Sequence, residues 1–222
     1  MTEQPDNENA TGERILIAVD GPAASGKGTI ARALARHFNL PHMDTGMLYR
    51  AVALNLWRWG GDMASEFEAL RACDVAAVDP DDPELRSEAV SSIASRISAY
   101  PSVRAALLER QREFAGQPGG AVLDGRDIGT VVAPEADAKL FVTASAEIRA
   151  QRRVRELLER GLPAHYEDVL VDIRARDERD MNRATAPLAQ ADDAMLLDTS
   201  ALDVDGAIGE AVRLVGERLA VR

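Results

Sequence analysis

Five short apolar runs punctuate the chain, at 15–19, 40–43, 121–123, 139–142 and 194–197. Between them apolar residues recur at helical rather than alternating spacing. The first run, Ile15-Leu16-Ile17-Ala18-Val19, has no polar break, as befits a strand covered on both faces. Strands of this kind alternating with helical patterns predict a parallel α/β sheet flanked by helices. Each run ends in a polar handle: Asp20-Gly21, Asp44-Thr45-Gly46, Asp124-Gly125-Arg126-Asp127, Thr143 and Asp198-Thr199-Ser200. Functional groups of open parallel sheets collect at the carboxyl ends of strands, so these handles are expected along one edge. Asp, Thr and Gly are also ordinary turn and cap residues. That reading accounts for Ser200-Ala201-Leu202-Asp203, which looks like a capping box before the last helix. It leaves Arg126, set between two aspartates, unexplained.

The interval 60–112 is the least sheet-like and reads as an all-helical subdomain between the second and third strands. Asp82-Pro83 makes a cap and first-turn pair, and Leu85, Ala89, Ile93 and Ile97 then recur every four residues, as on one helix face. Pro101 starts another helix, with Val103, Leu107, Leu108 and Phe114 facing inward. From Ser145 to Asn182 two helices flank a break at Gly161-Leu162-Pro163. Its cationic part, 149–183, holds nine arginines against eight acids and is expected to act as a short helical lid. Trp57 and Trp59 are expected to pack rather than stack on a base. Residues 1–13 are polar and acidic and are expected to be a disordered tail, leaving 14–222 as a single domain.

The first handle is the most telling. Gly21-Pro22-Ala23-Ala24-Ser25-Gly26-Lys27-Gly28-Thr29 stands between a buried strand and the helical run Ile30-Ala31-Arg32-Ala33-Leu34-Ala35. A glycine-rich loop in that context aims backbone N–H groups at an anion, and the helix opening near Gly26 adds its positive end. Lys27 supplies a point charge. Among 26 Lys+Arg, lysine occurs only at 27 and 139, so a compact ammonium is kept where it fits between phosphates. The chain is thus expected to bind a nucleoside triphosphate at Gly21 to Thr29.

The formal net charge of −11 argues against a nucleic-acid polymer as partner. One cysteine, Cys73, excludes an internal disulfide and fits a reducing cytoplasm. With His37, His42 and His165 it forms no ligand cluster at zinc spacing. No apolar stretch approaches membrane length, and the first residues are no signal peptide.

A phosphate loop alone names no reaction. The guanine-reading Asn-Lys-x-Asp of GTPases is absent. The Gly-Lys-Gly-Thr variant at 26–29 resembles nucleoside monophosphate kinases, which need a second, cationic site for an acceptor. Four stretches narrow the resemblance: 17–29, Met-Asp-Thr-Gly-Met-Leu-Tyr-Arg at 43–50, Asp-Gly-Arg-Asp-Ile-Gly-Thr-Val-Val-Ala-Pro at 124–134, and Arg-Asp-Glu-Arg-Asp-Met-Asn-Arg-Ala-Thr-Ala-Pro-Leu at 176–188. Together they resemble cytidylate kinases of the bacterial type.

That resemblance implies a phosphate-loop fold of five parallel strands with a helical acceptor-binding insertion and a lid. It implies transfer of the ATP γ-phosphoryl group to CMP or dCMP with Mg²⁺, by a cytoplasmic monomer. Lys27, Arg50, Arg126 and Arg176 would carry catalysis. Thr45, Arg50 and Arg126 would take the acceptor phosphate, Arg176 and Asp180 would lie near its ribose, and Ser95, Arg104, Asp127 and Arg183 around the base. Read alone, Arg176, Asp180 and Arg183 share a helix face and serve equally well as a surface ion-pair ladder; Asp127 read alone is a turn residue. No metal ligands are singled out. Many members of that family carry a small antiparallel sheet in the insertion; here Asp79-Pro80-Asp81-Asp82-Pro83 stands in its place. The alternatives are a kinase for another monophosphate or small metabolite, and a nucleotide-binding regulator.

Overall fold

The computed structural model describes residues 14–221; the expected tail at 1–13 lies outside them. Five strands, β1 (Ile15–Asp20), β2 (His42–Asp44), β3 (Gly120–Gly125), β4 (Ala138–Thr143) and β5 (Met195–Asp198), form one sheet in the order β2-β3-β1-β4-β5. Every pairing is parallel. From β1 the chain builds first toward β3 and β2, then crosses to β4 and β5. The reversal puts a crevice beyond the carboxyl end of β1, where ligands of such sheets bind.

The apolar run of β1 is buried on both faces, and its two-residue period sorts the core. Ile17 and Val19 face Ile30 and Leu34 of α1 (Lys27–His37) together with Ala211 and Val215 of α8 (Val204–Ala220). Leu16 and Ala18 face the opposite side, against Leu123, Ile128 and Ala115. β2 begins two residues later than its apolar run, because Pro41 has no N–H for a ladder and only accepts, from Val122, at 2.8 Å.

Between β2 and β3 lie α2 (Thr45–Trp59), α3 (Glu66–Arg71), a 3₁₀ turn at Pro83–Arg86, α4 (Glu88–Ile97) and α5 (Pro101–Ala115). They share a core of Val52, Leu56, Leu85, Ile97, Val103 and Leu107. α5 bridges this core and the sheet, with Leu108 and Phe114 packed against the sheet's face. The single helix expected from Asp82 to Ile97 is two elements. Asp82 caps only the 3₁₀ turn, accepting from Glu84 N at 3.0 Å. Ser87 is extended and starts α4 anew, accepting from Val90 N at 3.2 Å. The inward face is therefore Val90, Ile93, Ala94 and Ile97, and Ala89 is exposed.

Trp57 and Trp59 are not core residues either: they are 40% and 47% exposed, and the Arg71 guanidinium lies 4.7 Å over the Trp59 ring. α6 (Ala146–Glu159) and α7 (Tyr166–Met181) form a hairpin around Gly161, whose φ is +73°. The cap of α8 is Asp203, which accepts from Gly206 N at 2.8 Å. Ser200, expected in that role, instead donates to Asp198 Oδ1 at 2.6 Å and accepts from Ser145 N at 3.0 Å. A turn closed by Leu202 N on Thr199 O separates it from the helix.

Candidate active site

The loop after β1 turns tightly enough to enclose an anion. A Cβ on Gly21 would lie 2.0 Å from the Val142 carbonyl oxygen, so only glycine lets the loop pass β4 there. Gly26, at φ +92°, turns the chain into α1. Lys27 Nζ reaches back to the Pro22 carbonyl at 3.4 Å. Burial, reinforced by the like charge of Arg126, lowers its ammonium to about 7, against the pull of Asp124 and Asp44. A lysine so placed is short of negative charge.

A cleft of about 360 Å³ opens beside it between the sheet edge, the helical insertion and the α6–α7 hairpin. Ala23, Ala24, Gly26, Lys27, Gly28 and Thr29 line one end. Thr45, Arg50, Arg126, Arg176 and Asp180 line the middle and Ser95, Arg104, Asp127 and Arg183 complete the wall. The rest of the loop does not reach this wall: Gly21 packs on β4, Pro22 turns its carbonyl to Lys27, and Ser25 is fully buried behind. Thr45 Oγ1 donates to the Asp124 carbonyl at 2.8 Å.

The cations of the cleft are crowded and under-satisfied. Arg126 Nε donates to Asp180 Oδ2 at 2.9 Å. Arg50 spends one N–H on the Leu85 carbonyl at 3.0 Å and Arg183 one on the Ala186 carbonyl at 2.6 Å. Nε of Arg176 and Nε of Arg183 are buried without a partner. Burial and then the charge of Arg126 push Arg176 down to about 9; burial likewise lowers Arg50 and Arg183. Asp180 answers them: burial pushes its carboxyl up, but Arg126 and Arg176 hold it below the ordinary range. Buried donors left open in this way call for an anion with several oxygens.

At the far end Arg104 ion-pairs with Asp127, donates to the Ser98 carbonyl at 3.2 Å and stands 5.7 Å from the Tyr49 ring. Ser95 Oγ is buried with no partner, as is Ser91 Oγ one turn earlier on α4. Donors, acceptors and an aromatic ring thus converge on one part of the cleft.

The sequence reading had not singled out Tyr49, Ser91, Asp172 or Arg153, which share the cleft. Ser91 lies at helical spacing from Ser95, Tyr49 lies within the 43–50 motif and Arg153 is one of the arginines of 149–183, whereas Asp172 carried no signal. A second recess of about 420 Å³ on the other side of the loop went unread as well. It is walled by Arg152, Arg155, Thr199, Leu202 and Val204. Thr199, as a strand-end handle, and Arg152 and Arg155, among the arginines of 149–183, carried a signal; the apolar Leu202 and Val204 did not.

The described residues contain no cluster of three or more acidic, His or Cys side chains able to cage a metal ion. Magnesium seldom needs one: it takes one or two carboxylates and completes its shell with phosphate oxygens and water. Asp44 and Asp124 line the cleft beside Lys27 and Gly28. His42 Nε2 lies 2.8 Å from Asp124 Oδ1, while Oδ2 faces Gly28, 3.7 Å from where a Cβ would sit. That donor set fits a phosphate-borne Mg²⁺.

A solved sugar kinase from Janibacter sp. HTCC2649 shares the fold at 16% identity, with a TM-score of 0.50 over 94% of this chain and 98% of its own. In sequence, cytidylate kinase of Xanthobacter autotrophicus is 59% identical over 210 residues, 94% of this chain and all of that protein. Cytidylate kinase of Methylocella silvestris is 56% identical over 202 residues, 90% of this chain and 94% of its own. The family profile for cytidylate kinase matches residues 17–217. On that match and those identities, the chain belongs to the cytidylate kinase family.

Proposed function

We propose that the protein transfers the γ-phosphoryl group of ATP to CMP and dCMP, giving ADP with CDP or dCDP. The observation that carries this reading is the graded cleft: a phosphate loop at one end, unsatisfied buried arginines in the middle, and the Arg104–Asp127 pair with free serine hydroxyls at the other. The loop from Gly21 to Thr29 holds the donor phosphates, and the recess by Arg152, Thr199 and Leu202 takes the donor nucleoside. Thr45, Arg50 and Arg126 hold the acceptor phosphate, with Arg176 and Asp180 at its sugar. Mg²⁺, bound with ATP, neutralises charge on the donor phosphates.

Phosphoryl transfer needs alignment and charge stabilisation more than covalent help. Lys27, Arg126, Arg50 and Arg176 surround the space where the equatorial oxygens of the moving group lie. Their charge acts most strongly where the moving group lies between donor and acceptor oxygens, so they favour the transition state over the bound substrates. No general base is required, since the acceptor phosphate is already ionised at neutral pH. Residues 60–112 act as the acceptor-binding subdomain and 149–183 as a lid that excludes water. Ser95, Arg104, Asp127 and Arg183 read the base. Cytosine offers an amino donor beside acceptors, where uracil has a carbonyl and an N–H. A carboxylate and a guanidinium therefore match the first and oppose the second. The protein works in the cytoplasm as a monomer.

The test is an ADP-release assay with ATP, Mg²⁺ and each of CMP, dCMP, UMP, AMP and GMP. The reading requires kcat/KM for CMP to exceed that for UMP by about a hundredfold, the scale of a buried polar mismatch. Equal turnover of another monophosphate would transfer the assignment to that nucleotide. No phosphoryl transfer at all would leave a binding protein.

A further inference from the structure

Asp20 is the last residue of β1 and immediately precedes the phosphate loop. It is buried, 5% exposed, and the chemistry above does not use it. Its Oδ1 accepts from Ile128 N at 2.8 Å and its Oδ2 from Gly129 N at 2.7 Å, across 108 and 109 residues of sequence. Those two N–H groups open a π-helical turn at Ile128–Val132. Within it Val131 N and Val132 N both return to the Asp127 carbonyl, at 2.9 and 3.2 Å, and Ala133 N returns to Ile128 O at 2.7 Å. Asp127 is thus held from both sides: its carbonyl by the turn, the amides after it by Asp20. Its side chain pairs with Arg104, and its neighbour Arg126 reaches Asp180.

A carboxylate is the one side chain of this size with two equivalent acceptors for two adjacent N–H groups. Keeping it buried is costly: burial raises Asp20 to about 6 even though both amides favour its charged form. Lys139, whose alkyl chain packs beside Gly129, directs its ammonium to Asp193 at 2.9 Å. Single π turns are rare and collect at functional sites, and this one follows the base-facing pair directly.

We infer that Asp20 is a positioning residue for acceptor recognition, fixing through Ile128 and Gly129 the backbone from which Arg126 and Asp127 project and tying it to the root of the phosphate loop. This rests on the reading above that Asp127 faces the acceptor base. One buried carboxylate then sets the spacing between the donor loop and the acceptor loop.

The experiment is a double-mutant cycle in the full-length protein with Asp20→Asn, Asp127→Ala and the pair. It reads kcat and KM for CMP and UMP at saturating ATP, KM for ATP, and Tm. Asparagine keeps the shape but turns an N–H₂ toward one of the two amides. Asp20→Asn is expected to lower the CMP:UMP ratio of kcat/KM by about tenfold, mainly through KM for CMP. On the Asp127→Ala background it is expected to change that ratio by less than about twofold, because both act through one group. If Asp20→Asn is not recovered folded, Asp20→Ser, which is one bond shorter and so releases both amides without an opposing N–H₂, is put through the same cycle. An unchanged ratio, or independent effects that multiply in the pair, overturns the inference. If Asp127→Ala alone leaves the ratio untouched, the base-reading assignment fails too, and that single variant tells the two failures apart.

Discussion

The arginines of α6 and those of the cleft differ in what fills their forks. Arg149 of α6 is saturated: it donates to Asp177 through two N–H groups at 2.9 and 2.6 Å, to the Ala144 carbonyl at 2.8 Å and to the Ala23 carbonyl at 3.2 Å. Arg152 is spent in the same way on Ser25 O and Thr199. Arg153, which also lines the cleft, bonds Glu88 of α4 and Glu156 on its own helix, the latter at 2.7 Å. Arg126, Arg176, Arg50 and Arg183 instead lie in one cleft with at least two buried donors open. The first group uses guanidinium geometry as a bracket between elements, holding the α6–α7 hairpin to the phosphate loop through Arg149 and Arg152 and to α4 through Arg153. The second group concentrates positive charge that Asp180, paired with Arg126, neutralises only in part. A cation's role is therefore read from its partners, not from its sequence neighbours.

Substitution separates the two groups. The largest effect is expected from Lys27→Ala, which is predicted to lower kcat at least about a hundredfold, since its charge acts most on the transition state. Tm is expected to hold, because a buried cation crowded by Arg126 and Arg176 is lost; near-normal turnover by the folded variant would make the loop non-catalytic. Next, Arg50→Lys and Arg126→Lys are each predicted to cut kcat/KM for CMP by tens of fold, on the order of a lost bidentate contact. KM for ATP is expected to stay within about twofold in both. A loss in ATP binding with CMP binding intact would assign these arginines to the other nucleotide.

A bracket fails differently. Arg149→Met is expected to cost about 2 kcal/mol of folding stability, less than a fully buried pair because Asp177 keeps some contact with water. Chemical denaturation measures it, and an unchanged midpoint would put Arg149 outside the bracketing group.

A subtler contrast lies in protons. With Lys27 near 7, the side chain is mostly neutral at pH 8, and arriving phosphates favour its charged form. Binding of MgATP at pH 8 is therefore predicted to take up close to one proton, and at pH 6 almost none. Titration calorimetry in buffers of different ionisation enthalpy reads this directly, and Lys27→Ala abolishes it. The smallest effect belongs to Arg213, paired on the surface of α8 with Glu210 and Glu217. Arg213→Ala is expected to change neither activity nor Tm measurably.

Much of the fold was legible along the chain because its signals are local. An unbroken apolar run, a glycine loop and a helical repeat occupy consecutive residues, so the five strands and the strand–loop–helix at 15–37 could be read directly. The motifs expected to face an acceptor were legible through resemblance, and the structure brings those residues to one cleft. Where two local signals competed, sequence favoured the wrong one: Ser200 over Asp203 as a cap, and a single helix over the break at Ser87.

What only the tertiary structure decided is partnership. Nothing near Arg149 in sequence announces the Asp177 and Ala23 oxygens that saturate it, and nothing near Asp20 announces two amides more than a hundred residues away. The recess beside the phosphate loop is walled in part by Leu202 and Val204, whose apolar character is indistinguishable from that of any core residue. Residue type and spacing along the chain specify which groups exist and which way a strand or helix turns them. Whether a charge ends satisfied or open depends on distances across the sheet's edge, which exist only once the crossovers are made.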